Sequence, residues 1–563
     1  MKKLIECVPN FSEGRDPAII EALAAVVREA DGVNLLDVDP GAATNRTVVT
    51  FVGEPGKVLD AAVAVAKKST ELIDMSKHTG EHPRFGAMDV CPLVPVSGVS
   101  MEETVEYARE LGRRLGEEAG LTIYCYEHAA TRPERKNLAV VRAGEYEALA
   151  ERLKDPEWAP DFGPSTFQAR TGATAVSARN FLVAYNVNLN TTSSRRANAI
   201  AFDVREKGRI KREPCPLTGE IVRDENGKTV WVPGSLTACK GIGWFIEEFG
   251  ICQVSMNLTD IAETPVHIAF DEVCSKAQSR GVRVTGSELV GLIPLSAMLD
   301  AGRHYLRKQS RSTGVSDREL IKIAVTSMGL NELKPFEPEK AIIEYAIQAM
   351  DSRKRLCDLS VRGFTEETAS ESPAPGGGSV SAALGAFGSA LGSMVANLSS
   401  HKRGWDERWD EFSDWAEKGK ACQDELLHLI DEDTDSFTAV MEAWRLPDGS
   451  DAEKEVKEQA IQSAVLYAIE VPLRVMEVSH ESMVVAKEMA KSGLQASLSD
   501  AGVAALCARS AVMGAHLNVR INASDLKDEP KRQELLLRAS EISAQAVLAE
   551  TEILKLVDTN LDS

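Results

Sequence analysis

The sequence predicts two mixed-sheet α/β subdomains followed by an all-α helical bundle, on three observations. Residues 1–179 alternate short β-branched runs with segments of helical apolar spacing. A second alternation of the same kind begins near Arg179. Beyond Pro335 and Pro338, which block helix continuation, strand signals stop and helix formers run to the C-terminus. The expected boundaries are therefore 1–179, 180–330, a linker at 331–340 and a bundle at 341–563.

In the first subdomain, residues 4–8, 33–38 and 47–52 read as strands, being rich in β-branched residues and bounded by Pro, Gly and Asn. Residues 17–28 and 57–73 carry apolar side chains at helical spacing. A strand-like run at 90–96, a helix at 101–119 and a strand at 121–126 follow. That order makes a mixed sheet with helices stacked on it. In the second subdomain, 181–189 alternates as a strand, 195–206 is helical, 241–257 gives strands and 265–279 a helix. Residues 208–236 form an excursion, with Asp224-Glu225-Asn226-Gly227 as a hairpin turn. In the bundle, Leu426, Leu429, Ile430, Phe437, Val440, Met441 and Trp444 recur at steps of three and four.

A chain of 563 residues is too long for one core. Its net charge of −21 provides no basic field to steer in nucleic acid or an anionic membrane, so neither is expected as a partner. The 10 cysteines are scattered, without a CxxC pair or zinc-ligand spacing, and read as reduced thiols of a cytoplasmic protein. The apolar run near the N-terminus is too short for a signal-peptide core. Residues 374–398 carry no charge and contain small-residue repeats, yet they are mostly Ala, Gly and Ser, and read as a buried helix of a soluble bundle.

The chemistry-bearing segments are loops at strand ends. The run 80–92 brings Glu81, His82, Arg84 and Asp89 together between glycines and prolines, just ahead of an apolar strand. Asn10 lies in a polar turn after the first strand. Asp37 and Asp39 share a strand face, with Arg46 free to pair with one of them or with a ligand carboxylate. Residues 161–172, containing Gly163, Pro164, Ser165 and Gly172, read as a loop between the two α/β units, a connector or a ligand position. In the bundle, Gly376, Gly377, Gly378 and Ser379 open a helix with free N–H groups suited to an anion. Asp431 and Asp433 lie in an acidic run, and Asp500, with Asn518 in a following helix, is a polar position in a small-residue, apolar segment. No residue set has the spacing of a metal site.

In combination these segments are more specific. CVPNFSEG at 7–14, DVDPGAATNRT at 37–47, GEHPRFGAMDVCPLVPV at 80–96 and DFGP at 161–164 resemble the glutamate formimidoyltransferase family. PAPGGGSVSAALGAFGSALGSMVANL, DEDTDSFTAV and SDAGVAA with GAHLNVRIN resemble the formimidoyltetrahydrofolate cyclodeaminase family. Their order in one chain resembles the bifunctional formimidoyltransferase-cyclodeaminase family over nearly the whole length.

The resemblance implies two reactions of histidine degradation. The formimidoyl group of N-formimidoyl-L-glutamate passes to N5 of tetrahydrofolate, and 5-formimidoyltetrahydrofolate then cyclises to 5,10-methenyltetrahydrofolate with loss of ammonia. It further implies tetrahydrofolate as a co-substrate, in polyglutamylated form, no metal, and a homo-oligomer such as a ring of dimers. His82 aligns with the family's catalytic residue, and an imidazole can take and return a proton near neutral pH. Asp39 is the candidate for orienting His82 or a reacting nitrogen, and Arg46 or Arg84 for gripping a glutamate carboxylate. The 163–172 loop matches the family's folate segment. In the bundle the catalytic aspartate aligns at Asp433, with Asp431 as the alternative. Gly376 to Ser379 would hold an anionic end of the folate, and Lys402 its polyglutamate tail. A transferase that uses formylglutamate, with the helical part serving only for folate binding or oligomerisation, remains an alternative.

Overall fold

The computed structural model describes residues 3–42, 44–80, 83–215, 218–350 and 354–561. Glu81 and His82 lie outside the described residues. The chain forms two compact units, Met1–Met298 with Val325–Asp351, and Leu299–Ala324 with Ser352–Ser563.

The first unit contains two sheets. The larger has seven strands: β1 (Leu4–Cys7), β2 (Asn10–Phe11), β3 (Val33–Gly41), β4 (Arg46–Gly53), β5 (Met88–Ser97), β6 (Thr122–Glu127) and β7 (Ala173–Ala178). β1 and β2 lie end to end between β4 and β5, and β3 forms an edge on β4. β7 runs parallel to both β5 and β6, so the sheet is mixed. Two elements were not visible in the sequence. β2 is too short to show a period. β7, with the sequence ATAVSA, is built largely from Ala and Ser, which give little strand signal. The 161–172 loop accordingly leads into a central strand of the first sheet and is not a connector between the two α/β subdomains.

Alternation divides the side chains of this sheet between two faces. Ile5, Cys7, Val49, Phe51, Cys91, Leu93, Ile123, Cys125 and Val176 form one buried cluster with Leu23, Val27, Val58, Leu111 and Leu115 from the helices Pro17–Arg28, Pro55–Leu72 and Met101–Glu118. Each fully buried side chain of this kind contributes about 1.5–3 kcal/mol. The residues one step along each strand point the other way: Glu6, Asn10, Asp37, Asp39, Arg46, Thr50, Tyr124 and Tyr126. That face mixes these polar residues with a second apolar cluster around Val90, Tyr124 and Ala175, and it carries the candidate residues.

The second sheet contains Cys239–Ile246, Ile251–Leu258, β8 (Val183–Leu189) and Val284–Val290, in that order. It is antiparallel throughout, where the sequence suggested a mixed sheet, because its first two strands form a hairpin and both neighbours of β8 run against it. Its polar positions form a network. Gln253 donates to Asn188 Oδ1 (2.9 Å) and Glu288 Oε2 (3.2 Å), and Asn188 donates to Glu332 Oε2 (2.7 Å). The 208–236 excursion carries the expected turn, in which Gly227 N–H donates to Asp224 O (2.9 Å).

The boundary near residue 340 differs from the one read in the sequence. Ile342 and Ile343 are buried, and the helix Ile343–Met350 packs on β3, so residues 331–350 belong to the first unit. Conversely, the segment joining the helices Leu295–Lys308 and Asp317–Met328 packs in the second unit, where Gly314 O accepts from Asn397 Nδ2 (2.8 Å). The second unit is otherwise a bundle of long helices: Gly377–Ser400, Trp409–Trp444, Asp451–Ser492, Leu498–Ala523 and Glu529–Leu561. The first of these is long and apolar enough to cross a membrane by composition alone. It is mostly buried against the next three helices.

Glu6 is a buried acid of this sheet, 5% exposed. Burial pushes its carboxyl up to about 7, partly offset by Arg179. A folded-state value above the unfolded one favours the neutral form, so this contribution is complete below the unfolded value and is lost as pH rises through about 7. Glu6→Gln is therefore expected to raise unfolding free energy at pH 8, by up to roughly 3 kcal/mol from the size of the shift. The gain should disappear towards pH 4, as checked by denaturant titration at both pH values.

Candidate functional sites

The loop that carries His82 is anchored on both sides. Before it, Asn45, at φ 50, donates from Nδ2 to Thr79 O (2.9 Å) and accepts Gly14 N–H at Oδ1 (3.0 Å), while its carbonyl pairs with His78 Nε2 (2.8 Å). After it, Gly86 O accepts from Ser12 Oγ (2.7 Å), Ala87 N–H donates to Thr171 O (2.8 Å), and Gly86 bridges Gly172. The turn after β1, the Asn45 turn and the 161–172 loop thus hold residues 78–80 and 85–87, on either side of the undescribed Glu81 and His82.

Beside the loop lies a buried charge cluster. β5 pairs with β2 through Asn10 with Val90 and Phe11 with Met88, which leaves Asp89 as the extra residue of a bulge. Asp89 is fully buried, and its Oδ2 is paired with both Arg46 and Arg142. Arg46 Nε donates to Asn10 Oδ1 (2.9 Å). Arg46 and Asn10 are therefore brought together as candidates. Asp89 and Arg142 were not recognised as partners in the sequence, since a bulge and a distant turn bring them there.

Arg84 is placed differently. Its guanidinium pairs with Glu147 and stacks on Tyr146, 5.4 Å from the ring centroid. Tyr146 in turn packs on Phe167 at 5.5 Å. Arg84 thus links its loop to the 163–172 segment, with its charge answered by Glu147. Asp39 lies on the polar face in the row Asp39, Val48, Asn10, Val90. At the ordinary strand spacing this puts it about 10 Å from Asn10. Asp39 and Asp37 line a cavity of about 520 Å³ together with Glu288, Lys334 and Phe336. Burial, and then the neighbouring Asp39, raise the Asp37 carboxyl.

The ends of the 163–172 loop have different roles. Asp161 pairs with Arg135 (3.0 Å) and accepts Cys125 N–H (2.8 Å), and Pro164 O accepts from Thr122 Oγ1 (2.8 Å), so this end is a structural tie. Ser165 is exposed, while Gly172 lies against Phe85 and Gly86 of the His82 loop.

In the bundle, Asp433 reaches the first turn of Gly377–Ser400. Its Oδ2 accepts both Ser379 N–H and Ser379 Oγ–H, each at 2.8 Å, and its Oδ1 lies against Gly378, where a Cβ would stand 2.1 Å away. Burial raises its carboxyl, and the Ser379 bonds oppose that. The helix start read in the sequence as an anion site therefore already holds a carboxylate of the protein. Gly377 lies against the Asn518 amide, and Gly376 caps the helix in extended conformation. Asp431, two residues before Asp433, points to the opposite side of its helix. It accepts Leu356 N–H (2.6 Å) and ties down the 356–358 turn.

Two bundle candidates do not join this site within the chain. Lys402 lies beyond the far end of the 24-residue helix, about 36 Å from its start at 1.5 Å per residue, and stacks on Trp405 at 3.8 Å. Asp500 lies in the first turn of Leu498–Ala523, about 27 Å along that helix from Asn518. Near Asp433, Glu432 accepts from Tyr467 Oη (3.0 Å) and pairs with His428 (3.3 Å).

The family model described as the formiminotransferase domain, N-terminal subdomain, matches residues 4–179, and that of the formiminotransferase domain matches 184–348. The formiminotransferase-cyclodeaminase model matches 360–541. A mouse (Mus musculus) formimidoyltransferase-cyclodeaminase is 42% identical over 97% of this chain and 97% of its own length. A glutamate formimidoyltransferase of Thermoplasma acidophilum is 40% identical, over 57% of this chain and 98% of its own. A methenyltetrahydrofolate cyclohydrolase of Methylorubrum extorquens is 34% identical, over 36% of this chain and 98% of its own.

Gly163, at φ +78, packs so closely that a Cβ would stand 1.9 Å from Leu121 O. Gly163→Ala is expected to cost roughly 2–4 kcal/mol through backbone strain and the clash. A fall in the thermal midpoint would show it; an unchanged midpoint would mean that the loop moves freely.

Proposed function

The chain belongs to the formimidoyltransferase-cyclodeaminase family, and we propose that the polar face of its seven-stranded sheet and the Asp433 site of its bundle divide the two reactions between them. It is a bifunctional folate enzyme, both transferase and cyclodeaminase. It transfers the formimidoyl group of N-formimidoyl-L-glutamate to N5 of tetrahydrofolate, then closes the product to 5,10-methenyltetrahydrofolate with release of ammonia. Its substrates are small molecules, a glutamate derivative and a folate.

In the first reaction N5 attacks the formimidoyl carbon, giving a tetrahedral centre bonded to both amines. His82 takes the proton from N5 and returns one to the departing glutamate nitrogen. Asp39 orients a reacting nitrogen from the same sheet face. Arg46, held by Asp89 and Asn10, grips a carboxylate of the donor; Arg84, answered by Glu147, fixes the loop instead. The 163–172 segment beside that loop takes the folate.

In the second reaction N10 attacks the same carbon. Asp433 accepts the N10 proton and passes one to the leaving ammonia. The observation that carries this reading is the half-buried Asp433 carboxylate, with one oxygen fixed by Ser379 and its proton affinity raised by burial. Asp431, bound to the 356–358 turn, serves the fold. The folate carries a polyglutamate tail, and the intermediate passes between the sites while that tail stays bound. The protein works in the cytoplasm as a homo-oligomer, a reading supported by its scattered cysteines without a CxxC pair and by exposed Phe387, Leu398, Leu517 and Ile521 on the bundle.

With tetrahydrofolate and formimidoylglutamate, wild type is expected to develop the methenyltetrahydrofolate absorbance. Asp433→Ala should release glutamate yet slow methenyl formation by about 10²-fold or more. His82→Ala should release no glutamate. A wild type inert with this donor but active with formylglutamate would overturn the donor assignment.

A further inference from the structure

We infer that the groove left where the helix Gly377–Ser400 begins takes the p-aminobenzoylglutamyl end of the folate intermediate, with Phe437 and Trp444 as the surfaces on which it lies. The inference rests on the reading of Asp433 as the cyclodeaminase acid, and it names binding residues to which no motif pointed.

The groove follows from unequal helix lengths. Gly419, Leu426 and Asp433 recur every seven residues along Trp409–Trp444 and lie against Ser393, Gly385 and Gly378 of the first helix, which runs antiparallel. The same seam continues through Phe437, Val440 and Trp444, but the first helix starts at the level of Asp433 and does not cover them. Phe437 and Trp444 are 43% and 59% exposed. Residues 370–373, which precede the first helix, are themselves exposed. The other helices also run on past this level. Ser479 of Asp451–Ser492 lies against Gly385, and Val465 is on the same helical face about four turns earlier. Gly514 and Asn518 lie against Ser381 and Gly377, and Ser524 follows Asn518 by about two turns. Where the first helix is missing, a cavity of about 720 Å³ remains, lined by Trp444, Lys457, Ile461, Val465, Ser524 and Arg532. Its size suits part of a small organic ligand.

The position relative to Asp433 selects the part. Ring closure joins N5, the transferred carbon and N10 at that acid. N10 carries the p-aminobenzoyl ring, and Phe437 lies one helical turn beyond Asp433, about 6 Å along the axis. Trp444 lies about 16 Å along it. The pterin side of the folate ends at its ring, whereas the p-aminobenzoyl side continues into the glutamyl part, which needs the further room. An exposed aromatic surface binds such a ring by stacking. The cations of the cavity are answered within the protein: Lys457 pairs with Asp448 (2.9 Å) and Lys527 with Glu458 (2.6 Å). Recognition here therefore rests on aromatic area and not on net charge.

The test uses the full-length enzyme supplied with 5-formimidoyltetrahydrofolate. For Phe437→Ala the KM of the cyclisation is expected to rise about 10-fold or more, with kcat within about two-fold. Phe437→Tyr should keep the wild-type KM, since it retains the ring, and Trp444→Ala should raise the KM about 5-fold. Glutamate release in the transferase reaction should be unchanged in all three. An unchanged KM in both alanine variants, or a fall in kcat alone, overturns the inference. Light scattering accompanies the kinetics: a variant that loses subunits while its KM stays at the wild-type value assigns this face to a second copy of the chain, and also overturns it. Photolabelling of wild type with p-azidobenzoylglutamate answers without any variant. The label should fall within residues 437–465 and disappear with excess tetrahydrofolate; a label confined to other peptides contradicts the assignment. A wild type that does not cyclise 5-formimidoyltetrahydrofolate overturns the reaction itself, and the photolabel then still decides whether the groove binds this end of a folate.

Discussion

A strand whose alternate residues are buried under helices must turn the remaining ones the other way, and in the seven-stranded sheet those remaining residues include the polar ones of the candidate site. Ile5, Cys7, Val49 and Phe51 commit one face to the core. Glu6, Asn10, Arg46 and Asp39 are then fixed on the other, in rows set by backbone pairing. A slip of one residue would exchange the two faces and bury the charges under three helices. The apolar face thus specifies the register, and the register places the site. At Asp89 a bulge interrupts the alternation, and the carboxylate it places there holds two arginines.

The bundle reaches a comparable result by other means. The first turn of a helix needs hydrogen-bond acceptors, and Asp433 supplies one from a neighbouring helix. Gly378 allows the approach, since any side chain there would meet the carboxylate. The same contact that caps the helix also fixes one oxygen of an acid held in partial burial. Packing, capping and proton affinity are thus consequences of one close approach between two helices.

Much of this was legible in the sequence. β-branched runs marked β1, β3, β4 and β6, and helical spacing marked the helices that cover them, because those periods directly reflect a one-sided environment. β7 was missed because Ala and Ser carry no such signal, although it is central to the sheet. The boundary near 340 was displaced because prolines mark where a helix cannot continue, not where Ile342 and Ile343 find their apolar contacts. At the sites, local motifs nominated His82, Asn10, Arg46 and Asp433, each in a run of distinctive residues, and the structure brings Asn10 together with Arg46 and Asp433 against Ser379. They could not place Lys402 and Asp500, which share the bundle with Asp433 but lie a helix length from it. Nor could they find Arg142 or Asn45, whose roles come from the residues that meet them in space.

The central claim is that each reaction has its own site on this chain. It is tested most directly by supplying preformed 5-formimidoyltetrahydrofolate to the His82→Ala protein and following the methenyltetrahydrofolate absorbance. Two separate sites predict conversion at the wild-type rate, since the hydrogen bonds that fix Asp433 come from Ser379 of the bundle itself. Loss of that conversion would mean that the two reactions share a centre, and would contradict the account.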